Sequence, residues 1–138
     1  MNALHPVIPS PVTLETLATA CLWVAWQEEE RQPGTPPTKM PYAPAGGRAR
    51  ANDPGTWGTR DEAAARFADL PLPLGRGGIG LELGDLGNGW HLGGIDLDSC
   101  VNSDGALTAW AGKVVDRFAT YTEVSPSGGG VKLFFVYP

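Results

Sequence analysis

Residues 93–100, GGIDLDSC, and residues 123–135, EVSPSGGGVKLFF, decide how this chain is read. In the first stretch Ile95 and Leu97 alternate with Asp96 and Asp98, the period of a strand with one apolar face. The apolar pair then faces a core and the two carboxylates face a cleft. Like charges so placed repel, and a hard divalent cation such as Mg2+ or Mn2+ relieves the repulsion. The other reading of the same residues is a solvated strand face, with Asp98 and Ser99 opening a turn.

The second stretch carries three glycines after Ser127. Glycine lets a backbone come close to a ligand because it has no side chain. The N–H groups of Gly128, Gly129 and Gly130, the Ser127 hydroxyl and the Lys132 ammonium would together suit a triphosphate. A plain hairpin turn has the same composition. On neighbouring strands, the two stretches would bring a cation site to an anion site, which is what chemistry on nucleoside triphosphates requires.

Working outward, 138 residues suffice for one compact core, so residues 1–138 are expected to form a single domain. The net charge of −5 argues against a dedicated high-affinity nucleic-acid binder. Lys39, Arg48 and Arg50 form a local basic strip that could contact template or phosphate, or simply keep a loop soluble. Cys21 and Cys100 have no metal-ligand spacing. His5 and His91 are isolated and read as surface or packing residues. No stretch is long and apolar enough to span a bilayer, which gives a cytoplasmic expectation and no membrane partner.

Residues 1–12 read as an irregular proline-rich arm. A short helix from Thr13 to near Ala20 is expected, then a strand through Trp23, Val24 and Trp26. Residues 31–57, with six prolines between Arg31 and Trp57, read as a long loop in which Trp57 is an anchor on the core. Thr59 and Glu62 form a capping box ahead of a helix whose apolar face is Ala63, Phe67 and Leu70. GIGLELG and WHLGGIDLD read as a hairpin joined by DLGNG, with Glu82 and Asp85 facing solvent. Leu107, Trp110, Ala111, Val114, Val115 and Phe118 recur at helical spacing and predict a helix packed on the sheet. TYTEVS and VKLFFVY close the chain as two strands.

The ordered set KMPYAPAGGRARANDPGTWGTRDEA, GGIGLEL, GGIDLDSC and YTEVSPSGGGVKLFF resembles the N-terminal primase-polymerase domain of phage and plasmid replication proteins, in the archaeo-eukaryotic primase superfamily. The resemblance runs from about Trp23 to Val136. It implies an α/β (α+β) fold: an antiparallel sheet like that of the RNA recognition motif with packed helices, beside an N-terminal α/β module. It implies that Asp96 and Asp98 are the catalytic carboxylates and bind Mg2+ or Mn2+, and that Ser127 contacts the incoming nucleotide. It further implies nucleoside triphosphates and a single-stranded DNA template as partners, and a helicase domain in the intact protein. Where the family has a nucleotide-contacting histidine, this sequence has Lys132. The family's third carboxylate would follow Pro138, so the chain is expected to lack the C-terminal part of the domain. Two functions follow: metal-dependent nucleotidyl transfer onto a primer or first nucleotide, or an inactive or truncated nucleotide- and nucleic-acid-binding module that acts as a replication accessory.

Overall fold

The computed structural model describes residues 12–87 and 89–138; the irregular arm expected over 1–12 lies outside the described residues except for Val12, as does His5. The fold is α+β, and among the described residues every strand pairing is antiparallel. Within the span read as one domain, the chain divides into two compact units, Met1–Glu82 and Leu83–Pro138.

The first unit is a three-stranded sheet with a helix on one face. Helix α1 spans Leu14–Leu17 and is shorter than its periodicity predicts. Strand β1, Trp23–Glu29, is the centre of the sheet, between β2, Thr38–Tyr42, and β3, Gly77–Leu81. Trp23 ties α1 to the sheet, its Nε1 donating to the Leu17 carbonyl at 2.9 Å. Strand β2 lies inside the segment expected to be a loop. It forms despite Pro41 because β2 is an edge strand, where a missing N–H need not break a ladder.

Helix α2, Arg60–Ala68, begins at the Thr59–Glu62 capping box as expected, and Ala63 is fully buried. Trp57 packs on Val24, Ala43 and Ala49, and its Nε1 donates to the Arg50 carbonyl at 2.8 Å, so it anchors the loop.

The hairpin expected between GIGLELG and WHLGGIDLD forms only at its turn end, where Gly84 pairs with Leu92 and Asp85 with His91; the rest of GIGLELG goes elsewhere. Strand β3 pairs with β1 instead, where Trp26 lies across the glycines of β3: a Cβ on Gly78 would stand 3.3 Å from Trp26 Nε1. The aromatic ring supplies the packing that the bare strand lacks, and this gives β3 a better partner than β5. Glu82 is half-buried rather than solvent-facing, its N–H donates to the Leu22 carbonyl at 2.7 Å, and burial pushes its carboxyl above the ordinary value.

The second unit is a four-stranded sheet in the order β4, β5, β7, β6. Its strands are β4, Gly84–Asp85; β5, His91–Leu97; β6, Thr122–Val124; and β7, Val131–Tyr137. Helix α3, Ala109–Phe118, covers one face. Cys100, Ala111, Val131 and Leu133 form the buried core, with Ile95, Leu97, Leu107, Val114 and Val115 packed against it. Trp110 and Phe118, placed by periodicity on the apolar face of α3, are 50% and 40% exposed. Phe118 stands at the helix end, where its ring meets Phe135 at 5.3 Å between centroids. His91 is a packing residue, stacked on Tyr137.

Candidate functional site

Strand β5 delivers the acidic pair. Ile95 and Leu97 join the core cluster, so the alternation puts Asp96 on the opposite face of the sheet, where it is exposed. Leu97 is the last paired residue of the strand, and Asp98 follows it, also exposed and without an ion pair or hydrogen bond among the described residues. The chain then turns sharply: Ser99 has φ 51°, a left-handed conformation that costs a non-glycine residue about 1–3 kcal/mol. Immediately after it, Cys100 is completely buried and its Sγ–H donates to the Leu97 carbonyl at 3.2 Å. The burial of Cys100 holds the strained corner, and the corner fixes where Asp98 emerges.

The Ser/Gly bend is the hairpin between β6 and β7. Ser125 N–H donates to the Gly130 carbonyl and Gly128 N–H to the Ser125 carbonyl, both at 2.8 Å. Gly128 has φ 79°, the conformation for which glycine is suited. The Gly129 carbonyl accepts from the N–H groups of Cys100 at 2.9 Å and Val101 at 3.2 Å, which pins the bend to the end of β5. Gly130 is in closest contact: a Cβ there would lie 2.5 Å from the Leu97 carbonyl oxygen and 3.5 Å from Asp98 Cα. Only glycine permits that approach. The bend and the acidic pair are therefore adjacent in this unit, which neither stretch fixes alone.

Two of the three N–H groups expected to form a cradle are engaged inside the turn. Gly128 N–H serves the Ser125 carbonyl, and Gly129 N–H leans on Ser127 Oγ at a long 3.4 Å. Ser127 itself is exposed at the tip.

Lys132 lies opposite Asp96 in the β5–β7 register, with Nζ 3.5 Å from Asp96 Oδ1; the side chains are 40% and 60% exposed. Sequence reasoning missed Glu123. It is the cross-strand partner of Lys132 on β6, so Asp96, Lys132 and Glu123 make one row across three strands. The signal was present: Glu123 and Lys132 each stand two residues outside the Ser125–Gly130 closure. The Tyr121 hydroxyl donates to Glu123 Oε2 at 3.1 Å, and burial, followed by that carboxylate, raises the tyrosine above its ordinary pKa.

Asp96 and Asp98 are of the donor type that a hard divalent cation takes. Both offer oxygen, and their exposure leaves room for water and phosphate oxygens to complete the coordination shell. Among the described residues no group of three or more His, Cys, Asp or Glu side chains gathers as a cation cage. The cleft of about 470 Å³ lined by Leu83, Gly84, Leu92, Gly93, Gly94, Phe135 and Tyr137 lies toward the other end of β5 and β7. Its lining is mostly apolar and has no cation to balance a triphosphate.

The basic residues singled out from the sequence belong to the first unit. Lys39 Nζ lies 5.2 Å from the centroid of the Trp26 ring. Arg48 bonds Glu29 at 3.3 Å and stands over the Tyr42 ring, which Arg66 approaches as well. Arg50 is exposed, with its backbone N–H donating to Thr56 Oγ1 at 3.0 Å. Among the described residues no helix is long and apolar enough to cross a membrane.

No protein-family model matches the sequence. The chain is similar to the DNA primase-polymerase of Nitratiruptor phage NrS-1, with 32% identity over 120 residues. The match covers 86% of the chain and 15% of the phage protein, so the chain spans only a small part of that relative's length. The chain thus belongs with the phage primase-polymerases, as the counterpart of a segment of one.

Proposed function

We propose that this chain performs metal-dependent nucleotidyl transfer onto a primer or first nucleotide during phage or plasmid replication. The observation that supports this most is the contact of Gly130 with Leu97 and Asp98, which brings a polar bend against an accessible pair of carboxylates. Asp96 and Asp98 would hold Mg2+ or Mn2+. When bound, the cation lowers the pKa of the attacking 3′-hydroxyl and offsets charge on the departing pyrophosphate. Ser127 would donate its hydroxyl to a phosphate oxygen, and Lys132 would supply a mobile positive charge to the triphosphate. Glycines 128 to 130 would admit the nucleotide by leaving the bend without side chains. Lys39, Arg48 and Arg50 would meet the phosphates of a single-stranded DNA template. Lys39 and Arg50 are exposed, whereas Arg48 already serves Glu29. The proposal includes a helicase region in the intact protein and action in the host cytoplasm.

A second reading is an inactive module that binds nucleotide or nucleic acid as a replication accessory. The ion pair between Lys132 and Asp96 favours it, because one of the two carboxylates is already charge-balanced.

Primer synthesis and extension with Mg2+ or Mn2+, run beside Asp96→Asn and Asp98→Asn, test the two. Loss of product in both variants supports transfer. Product that survives either substitution rules out the acidic pair as the catalytic centre, and nucleic-acid binding without metal or product supports the module.

A further inference from the structure

Lys132 stands in register between Asp96 of β5 and Glu123 of β6, and its ammonium is 3.5 Å from Asp96. An ammonium at that distance competes with a divalent cation for the same oxygens. We propose that Lys132 is an exchangeable counter-ion, neutralising Asp96 while the acidic pair lacks metal and passing to the triphosphate when cation and nucleotide arrive. The ligand of the site is then the cation–triphosphate complex, taken in preference to the free cation. The inference rests on the reading of Asp96 and Asp98 as metal ligands.

The physical case has three parts. An exposed ion pair contributes at most about 1 kcal/mol, so the contact breaks easily. Lysine carries a compact charge on a flexible four-carbon stem with no directional demand, so it can change partners without moving β7. A dication on Asp96 leaves the ammonium facing a like charge, and a triphosphate relieves that repulsion by accepting both. Metal and nucleotide therefore each improve the site for the other, and thermodynamic linkage makes the coupling reciprocal.

The test is Mn2+ binding followed by electron paramagnetic resonance, with and without a non-hydrolysable nucleoside triphosphate. It compares the parent chain with Lys132→Met, Lys132→Arg and Asp96→Asn. Lys132→Met should bind free Mn2+ about three- to fivefold more tightly than the parent, with less enhancement by the triphosphate. Lys132→Arg, which keeps the charge, should retain the parental pattern. Equal affinity for free Mn2+ in parent and Lys132→Met, with the metal lost in Asp96→Asn, overturns the exchange but leaves the acidic pair as ligands. Binding that survives Asp96→Asn, or no binding in parent and Lys132→Met alike, overturns both.

Discussion

Four acids of the first unit and the acidic pair of the second are held differently. In the first, Glu15 is bridged by Arg60, Glu28 by Arg76, and Glu62 caps its own helix. Glu29 accepts from Tyr42, Gln27 and Arg48 together, and those partners, the tyrosine hydroxyl foremost, hold its carboxyl below the ordinary range. In the second unit Asp96 has one exposed ion pair, and Asp98 has no partner among the described residues. An acid satisfied by its own protein contributes to folding and has little capacity left for a ligand. An acid left open at a strand end contributes little to folding and remains available. The contrast teaches that candidate ligands are found by asking which acids the fold does not use.

The strongest way to break this contrast is through activity. Asp96→Asn and Asp98→Asn should each lower primer extension by about a hundredfold or more, while thermal unfolding moves by no more than about 0.5 kcal/mol. A large loss of stability in either would make the open acids structural after all. Next in size are two glycines under similar pressure, one in each unit. A Cβ on Gly130 would lie 2.5 Å from the Leu97 oxygen, and one on Gly77 would lie 2.6 Å from the Trp26 oxygen. Gly130→Ala and Gly77→Ala should each cost about 1–3 kcal/mol in denaturant melts. At equal residual fold, only Gly130→Ala should weaken Mn2+ and nucleotide binding.

A smaller effect sharpens the picture of the first unit. Tyr42→Phe removes the main partner of Glu29 and should cost about 1 kcal/mol at neutral pH. Because the folded-state pKa of Glu29 is lowered, its contribution is present above the unfolded value, about 4.3, and is lost as pH falls through the folded value. The parent and Tyr42→Phe should therefore converge in acid melts; a gap that persists below the range in which Glu29 protonates would contradict the assignment. Glu82 has the opposite sign. Its folded pKa is raised by burial, so the ionised form opposes folding, increasingly as pH rises from the unfolded value through the folded one. Glu82→Gln should raise the melting temperature at neutral pH and lose that advantage in acid.

Local pattern made much of this legible. The Thr59–Glu62 capping box, the apolar stripe through Ala111, Val114 and Val115, and the alternation of Ile95 and Leu97 with Asp96 are local signals, and each appears where the sequence put it. The misses have a common cause. The β3 glycines look like half of a hairpin with β5 until Trp26 is brought over them from a strand more than fifty residues away. Strand β2 is hidden by its prolines until an edge position makes Pro41 harmless. The role of Glu123 needed the register of three strands. Pairing partners are long-range choices, and composition within a window carries no information about them.

The sequence by itself determined helices α2 and α3, the strands that carry the acidic pair and the glycine bend, and the face on which Asp96 lies. Periodicity and steric freedom are properties of the local chain, so they can be read without coordinates. Only the tertiary structure decided what the bend approaches, and that Lys132 meets Asp96, because both depend on β7 choosing β5 as its partner. Asp98 has no partner among the described residues, while Glu15, Glu28 and Glu29 of the other unit are taken up by arginine or tyrosine. The physical reason is range: a dihedral preference acts on neighbours in the chain, whereas a contact between strands is settled by the burial of the whole sheet.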